Sequence, residues 1–326
     1  MLSLATIGTS AITKEFIEAA LLSGAYQVTA CYSRQKEKAQ AFIKDLNLMD
    51  CQAINDWQEL LTSSSQVLYI ASPNSLHYAQ AKDALLSGKH VIVEKPAVTK
   101  PEDWQELLKL AEEQGLYIFE AARHIHEEAW LVIEDFLKDK TILGASLSYA
   151  KYSSKMKDLL ASKTPNVFSP EFAGGALMDL GIYPLYAAHL LWGAPKDASY
   201  KARQLDNTID LAGNALLDYG DFQVSLKTGK DYNSQQMDEI YTGQGTLILS
   251  SCQQILEAVF CDLEGDRKEL ELPLLTRRML PEALAFASII ENQDQEAFQK
   301  LGQMALDTHT TLYQLRQDAG IIFQGE

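Results

Sequence analysis

Lys95 is the residue of this chain best placed to act on a bound molecule. It lies in Gly88-Lys-His-Val-Ile-Val-Glu-Lys-Pro96, where Gly88 ends a helix, residues 90–93 are a short apolar run and Pro96 fixes the backbone that follows. Such a run without alternation is a strand buried on both faces, as in a parallel sheet. Glu94 and Lys95 then stand at its carboxyl end, the edge where open α/β sheets bind ligands. An ammonium held there can polarise a substrate oxygen or touch a cofactor, whereas a surface Glu-Lys turn would do neither. Asp179 and Tyr183, one helical turn apart on one face, form a second group with chemical capacity. A phenol can exchange a proton with a substrate oxygen, a nearby ammonium favours its ionised form, and a carboxylate can fix the geometry of both. The plainer reading is a hydrogen-bonded packing pair, with Leu177, Leu180, Leu190 and Leu191 supplying the apolar contacts of the helix.

The elements that must hold these groups alternate through the first third of the chain. Strands are expected over residues 4–7, 26–32, 51–54, 67–71, 90–93 and 116–120, with helices over 14–23, 35–46, 75–87 and 99–114. A capping box starting at Asp56 opens one more short helix. This alternation gives a doubly wound parallel sheet. Its first turn, Gly8-Thr9-Ser10-Ala11-Ile12, is a variant of the fingerprint that seats a dinucleotide. Gly8 permits the tight turn, Ser10 replaces the glycine of close backbone approach, and the next helix offers its free N–H groups to a pyrophosphate.

About 20 residues on, a site for NAD places an acid against the ribose 2′-hydroxyl. Here the second strand ends in Cys31-Tyr32-Ser33-Arg34. A hydroxyl and a guanidinium suit a 2′-phosphate, so NADP is the expected cofactor and NAD the lesser variant. Ser33 as a helix cap and Arg34 as a solvated first-turn residue are the alternative. Ser72-Pro73-Asn74-Ser75-Leu76-His77 follows the fourth strand on the same edge. Ser72, Pro73, Asn74 and His77 join the expected cofactor contacts, as do Glu94 and Lys95, although turn chemistry alone explains Pro, Asn and Ser there.

The second half reads differently. Residues 143–152 alternate as a strand, 153–172 form a long polar loop, and the helix with Asp179 and Tyr183 follows. Strands over 199–205, 211–218, 222–228, 246–250, 255–261 and 268–272 suggest a meander, hence an antiparallel sheet, before closing helices over 281–292 and 295–317. Arg123, His124 and His126 of the connector are expected to line a cleft between domains. No metal is expected there, because no third ligand accompanies the two histidines. A sheet with helices on one side only leaves an apolar face, for which Val224, Leu226, Leu247 and Leu249 are candidates. It predicts a homo-oligomer, most simply a two-fold dimer.

At 326 residues the chain exceeds a single core, and two domains, 1–121 and 122–326, are expected. Hydrophobic content of 47% and charged content of 22% suit a soluble globular protein. A net charge of −16 argues against nucleic acid as a partner. No stretch approaches the roughly 20 apolar residues of a membrane span, and the first residues lack the basic start of a signal peptide. Cys31, Cys51, Cys252 and Cys261 lack metal-ligand spacing and read as reduced thiols of a cytoplasmic protein.

With Gly8 in its first turn, Ser72-Pro73-Asn74-x-x-His77, Glu94-Lys95-Pro96, Glu120-Ala121 and Gly174-Gly175-Ala-Leu-Met-Asp179-Leu-Gly181-Ile-Tyr183, the chain resembles the glucose–fructose oxidoreductase / inositol dehydrogenase / rhizopine catabolism (Gfo/Idh/MocA) family over almost its whole length. The resemblance implies an N-terminal Rossmann domain for the nucleotide. It also implies a C-terminal α/β domain whose open, mostly antiparallel sheet shapes the substrate site and often mediates oligomerisation. It marks Lys95 as the catalytic lysine. Ser10 departs from the family glycine, and Tyr183 stands where many members have histidine, while carbohydrate- and dihydrodiol-type members carry tyrosine.

The expectation is then an NADP-preferring oxidoreductase that moves hydride between nicotinamide and a secondary alcohol or carbonyl of a small polyhydroxylated, sugar-like or diol substrate. Lys95 and Tyr183 are its catalytic groups with Asp179 fixing their geometry, and Lys95, Arg123, His124, Asp179 and Tyr183 contact substrate. The rival expectation is a sensor of the same fold that binds cofactor without turnover. A sensor has no need of a proton donor, which favours the enzyme.

Overall fold

A computed structural model describes residues 1–324, so the last two residues of the expected second domain lie outside it. In chain order the first elements are β1 (Leu2–Ile7), α1 (Ala11–Ser23), β2 (Tyr26–Tyr32), α2 (Lys36–Asp45), β3 (Gln52–Ile54) and α3 (Trp57–Leu61). They continue with β4 (Val67–Ile70), α4 (His77–Leu86), β5 (His90–Glu94), α5 (Pro101–Gln114) and β6 (Ile118–Ala121). Then come α6 (Ala129–Leu137), β7 (Ile142–Ala150), α7 (Met156–Leu160) and α8 (Ile182–Trp192). The later strands are β8 (Asp197–Gln204), β9 (Asp210–Asp218), β10 (Gln223–Gly229), β11 (Asp238–Thr242), β12 (Gly245–Leu249), β13 (Ala258–Asp262) and β14 (Arg267–Glu269). Helices α9 (Leu280–Asn292) and α10 (Gln295–Asp318) finish the chain.

The chain divides into two compact units, Met1–Arg123 with Thr276–Gln303, and His124–Leu275 with the chain from Met304 onward. One cut after residue 121 therefore misses the return of α9 and the start of α10 to the first unit. Apolar cover explains the return. Phe286 stacks on Phe119 with ring centroids 4.5 Å apart, and Phe298 meets Tyr117 edge-on at 5.2 Å. The Tyr26 hydroxyl donates to the Ala283 carbonyl at 3.0 Å, and the buried Trp104 indole to the Gly302 carbonyl at 3.0 Å. A sheet must have its apolar faces covered, but local sequence does not say which distant helix does it.

The first unit holds a six-stranded sheet in the order β3-β2-β1-β4-β5-β6. Every pairing in it is parallel. From β1 the chain moves outward to β2, and from β4 outward to β5, so the switch in strand order falls between β1 and β4. The crevice outside their carboxyl ends is where doubly wound sheets bind ligands. Local chemistry fixes the ends of the helices around the sheet. Ser10 caps α1 by accepting from the Thr13 N–H at 3.4 Å, Gly24 ends the helix in a left-handed conformation, and Asp56 caps α3 through the Glu59 N–H at 2.8 Å.

The second unit is built on an eight-stranded sheet in the order β14-β13-β12-β11-β7-β10-β9-β8. It is mostly antiparallel, yet it is no simple meander. Strand β7 enters early and lies between β10, which it pairs in parallel, and β11, which it pairs antiparallel. β11 went unread because its Asp238-Glu-Ile-Tyr-Thr242 sequence starts on two acids. The fold uses the first of them, since the buried Asp238 carboxylate accepts the backbone N–H groups of Ser148 and Cys252. The stretch read as a polar loop contains α7 and two short 3-10 turns. Val224, Leu226, Leu247 and Leu249 are all buried and face the core, which corrects their assignment to a free face. On the other face of the sheet, Leu216 opposite Ser225 and Tyr241 opposite Thr246 are exposed instead.

Candidate functional site

In the first unit the turn after β1 and the turn after β4 meet at Gly8. Its φ is +105°, and a Cβ there would stand 2.8 Å from the Ala71 carbonyl oxygen, so only glycine fits. Beside them opens a cavity of about 310 Å³, lined among others by Gly8, Thr9, Ser33, Arg34, Lys38, Ser72 and Pro73. Helix α2 begins at Lys36 with Gln35 as its cap, and Ser33 instead accepts from the Gln35 N–H at 3.3 Å. That leaves Ser33 and Arg34 on the cavity wall, not in a helix cap. Lys38 adds a second cation that sequence reasoning passed over, though a basic residue at the start of the same helix was the available signal. No Asp or Glu lines this cavity among the described residues. The cradle at Gly8, the start of α1 at Ala11 and the Ser33-Arg34-Lys38 wall fit a dinucleotide carrying a 2′-phosphate. Ser10 and Ala11 are exposed at that helix start, and Ile12 is half-buried.

Two residues expected at the cofactor are buried and engaged within the chain. His77 is buried, with Nδ1 2.9 Å from the Pro96 carbonyl oxygen and Nε2 2.8 Å from that of Ser72. It ties the loop after β4 to the loop after β5, and burial lowers its pKa. Glu94 is also buried; its Oε1 accepts the Tyr69 hydroxyl at 2.5 Å, and burial raises its pKa against the pull of Lys95. Ser72 turns its hydroxyl to Gln80 Oε1 at 2.7 Å, and Asn74 opens the short 3-10 turn before α4. Lys95 itself is half-buried at the end of β5, ahead of a cis peptide to Pro96.

Arg123 and His124, expected as substrate contacts, are both buried. The Arg123 charge acts on Glu94 and on Glu282, whose carboxyl is pushed well up by burial at the start of α9. In the second unit, His124 places Nε2 3.0 Å from the Tyr183 carbonyl oxygen and its ring 4.8 Å from the Tyr183 ring. Tyr149 of β7 packs against the same ring edge-on at 5.1 Å. Tyr183 is thus held from two sides while remaining half-exposed.

Asp179 lies in a π-turn, Leu177–Gly181, that runs into α8. The regular helical spacing inferred from sequence does not hold there, and π-turns of this kind recur at functional sites. Its approach is set by Asp210, a buried acid whose Oδ2 accepts both the Leu177 N–H at 2.7 Å and the Tyr200 hydroxyl at 2.7 Å. Burial raises the Asp210 pKa. Gly175, at φ +120°, passes so close to the Asp210 carboxylate that a Cβ would collide with it. Asp179 forms an ion pair within its own unit, to Lys230 just past β10, another residue that sequence reasoning did not single out. No group of three or more His, Cys, Asp or Glu side chains among the described residues is arranged to hold a metal ion. No helix among them is long and apolar enough to cross a membrane.

Comparison with known proteins places this geometry among relatives. Residues 2–121 match the oxidoreductase family GFO_IDH_MocA, NAD-binding Rossmann fold, and residues 142–248 match the GFO/IDH/MocA C-terminal domain. The chain is 32% identical over 330 residues to the uncharacterized oxidoreductase YgjR of Escherichia coli K12, covering 100% of this chain and 99% of that one. It is 30% identical over 328 residues to the NADP+-dependent scyllo-inositol 2-dehydrogenase IolU of Bacillus subtilis 168, with coverage of 100% and 99%. In fold it is similar to a 3-ketoreductase of Actinomadura kijaniata solved with TDP-benzene and NADP. The two share a TM-score of 0.84 and 21% identity, over 97% of each chain.

Proposed function

Because this chain belongs to the Gfo/Idh/MocA oxidoreductase family, we propose that it is an NADP-dependent dehydrogenase or reductase acting on a secondary alcohol or carbonyl of a small, sugar-like polyol. The observation that carries the reading is the cavity at the β1–β4 switch, where Gly8 leaves room for the backbone to approach a pyrophosphate and Ser33, Arg34 and Lys38 stand where an acid would mark NAD. When bound, the nicotinamide supplies or accepts the hydride. Tyr183 exchanges the proton of the substrate oxygen, and Lys95 stabilises charge on that oxygen. Asp179 accepts a substrate hydroxyl. Arg123, His124, Glu94 and His77 hold these groups in place. The IolU relative makes a cyclic polyol, or its keto form, the first substrate to test.

Cofactor choice tests the cavity directly. Wild type binds NADP(H) about ten- to a hundredfold more tightly than NAD(H), the range expected of charge-assisted contacts of about 1.5–3 kcal/mol. Arg34→Ala narrows the gap, and Arg34→Ala with Lys38→Ala closes it, as read by titration with both cofactors. Equal affinity of the wild type for the two would remove Arg34 and Lys38 from the site.

A two-fold dimer is part of the same proposal. On the second sheet a groove of about 510 Å³ is lined by Leu143, Leu216, Phe222, Ser225 and Tyr241, and Leu216 is 41% exposed. The exposed side chains of Leu143, Leu216 and Tyr241 in that groove suit a second copy of the chain. Light scattering should give twice 36.3 kDa, and Leu216→Asp should split the particle. A monomer at micromolar concentration would reject the dimer. The four free thiols and the acidic surface support a cytoplasmic setting.

A further inference from the structure

The ion pair of Asp179 with Lys230 is unequal. The Asp179 side chain is 36% exposed, and that of Lys230 only 3%. An ammonium withdrawn that far from water is costly unless a counter-ion meets it, so Lys230 depends on Asp179 more than Asp179 depends on Lys230. The lysine is delivered from a rigid place. Its backbone N–H donates to the Leu211 carbonyl at 2.8 Å, and its carbonyl accepts from the Ser153 N–H at 2.7 Å. Two residues earlier, the Thr228 hydroxyl donates to the Ala176 carbonyl at 3.2 Å, which ties β10 to the π-turn that carries Asp179. The turn is thereby fixed from one side by Asp210 at Leu177 and from the other by β10.

We propose that Lys230 is the positioning residue of the substrate site: it grips one oxygen of Asp179 so that the exposed part of the carboxylate accepts a substrate hydroxyl beside Tyr183. A carboxylate without such a partner would sample several rotamers, and part of the binding energy would go into ordering it. The pair also sets specificity. With its charge balanced from behind, Asp179 offers a strong acceptor with little net charge, which suits an uncharged polyol over an ammonium-bearing sugar. This assignment rests on the dehydrogenase reading above.

The test compares Lys230→Met, Asp179→Asn and the double variant in the full-length protein. Lys230→Met should raise KM for the polyol about 10- to 100-fold, the range of a lost charge-assisted hydrogen bond, with much smaller change in kcat and none in NADP(H) affinity. Adding it to Asp179→Asn should cost nothing further in KM, because the two act as one unit. In thermal unfolding Asp179→Asn strands the buried ammonium, so the double variant should melt higher than Asp179→Asn alone. A wild-type KM in Lys230→Met overturns the positioning role. A double variant that melts no higher than Asp179→Asn overturns the pairing on which that role depends. If the wild type turns over no polyol with either cofactor, the dehydrogenase reading fails, and the unfolding comparison still decides whether Lys230 is held by Asp179.

Discussion

Tyr183→Phe should turn over substrate about 10² to 10⁴ times more slowly than the wild type while binding NADP(H) almost unchanged. The substitution keeps the ring and the contacts that pack on it. His124 and Tyr149 pack on its faces at 4.8 and 5.1 Å, and the His124 imidazole faces its backbone carbonyl. Phenylalanine keeps those contacts and removes the oxygen proposed to exchange a proton. Cofactor affinity, read by titration, serves as the internal control. Lys95→Ala should lower turnover at least as much, because it removes both a charge and the proposed contact to the substrate oxygen. A primary isotope effect from deuterated substrate shows whether hydride transfer limits the rate. If it does, and Tyr183→Phe still turns over at the wild-type rate, Tyr183 is a packing residue and Lys95 acts alone.

Gly8→Ala should weaken NADP(H) binding more than tenfold and lower stability by about 2–5 kcal/mol, the sum of a strained left-handed backbone and an overpacked contact. The new Cβ would meet the Ala71 carbonyl oxygen at 2.8 Å, and that oxygen is backbone, so the turns after β1 and β4 must move apart. Both turns line the cofactor cavity. Gly24→Ala is the matching control. Its φ is +68° but nothing lies within 4 Å of the added carbon, so it carries backbone strain without a clash. Cofactor titration and urea unfolding of both variants separate the two effects. Gly24→Ala should lose about 1 kcal/mol and keep its cofactor affinity. Wild-type affinity in Gly8→Ala would mean that the cofactor does not depend on this turn.

Much of the first unit was legible because its signals are local. Residues 26–32 form the expected strand, α1 ends at Ser23 as expected though it starts at Ala11 and not at residue 14, and the apolar run before Glu94 is a buried central strand. What was not legible shares one cause, which is that burial by distant partners leaves no mark on the neighbouring sequence. His77 and Glu94 stand at the expected edge by position, and the sequence does not show that their polar atoms are engaged with Pro96, Ser72 and Tyr69. Nor does the sequence show that Arg123 and His124 are buried. Lys230 and Asp210 follow no motif, and only the tertiary fold brings them to the helical turn of Asp179. The order of the second sheet was hidden for a related reason. Hairpin signals identify neighbours along the chain, whereas the insertion of β7 between β10 and β11 is a long-range pairing.

The measurement that bears most directly on the account is nicotinamide absorbance during incubation of the purified wild type with NADP+ or NADPH and a panel of cyclic polyols, sugars and their keto forms. The account predicts turnover of at least one uncharged polyol or ketone, faster with NADP(H) than with NAD(H) and lost in Lys95→Ala. Tight NADP(H) binding with no change in cofactor redox state across the whole panel, in both directions, would contradict it and leave a protein that binds the nucleotide without using it.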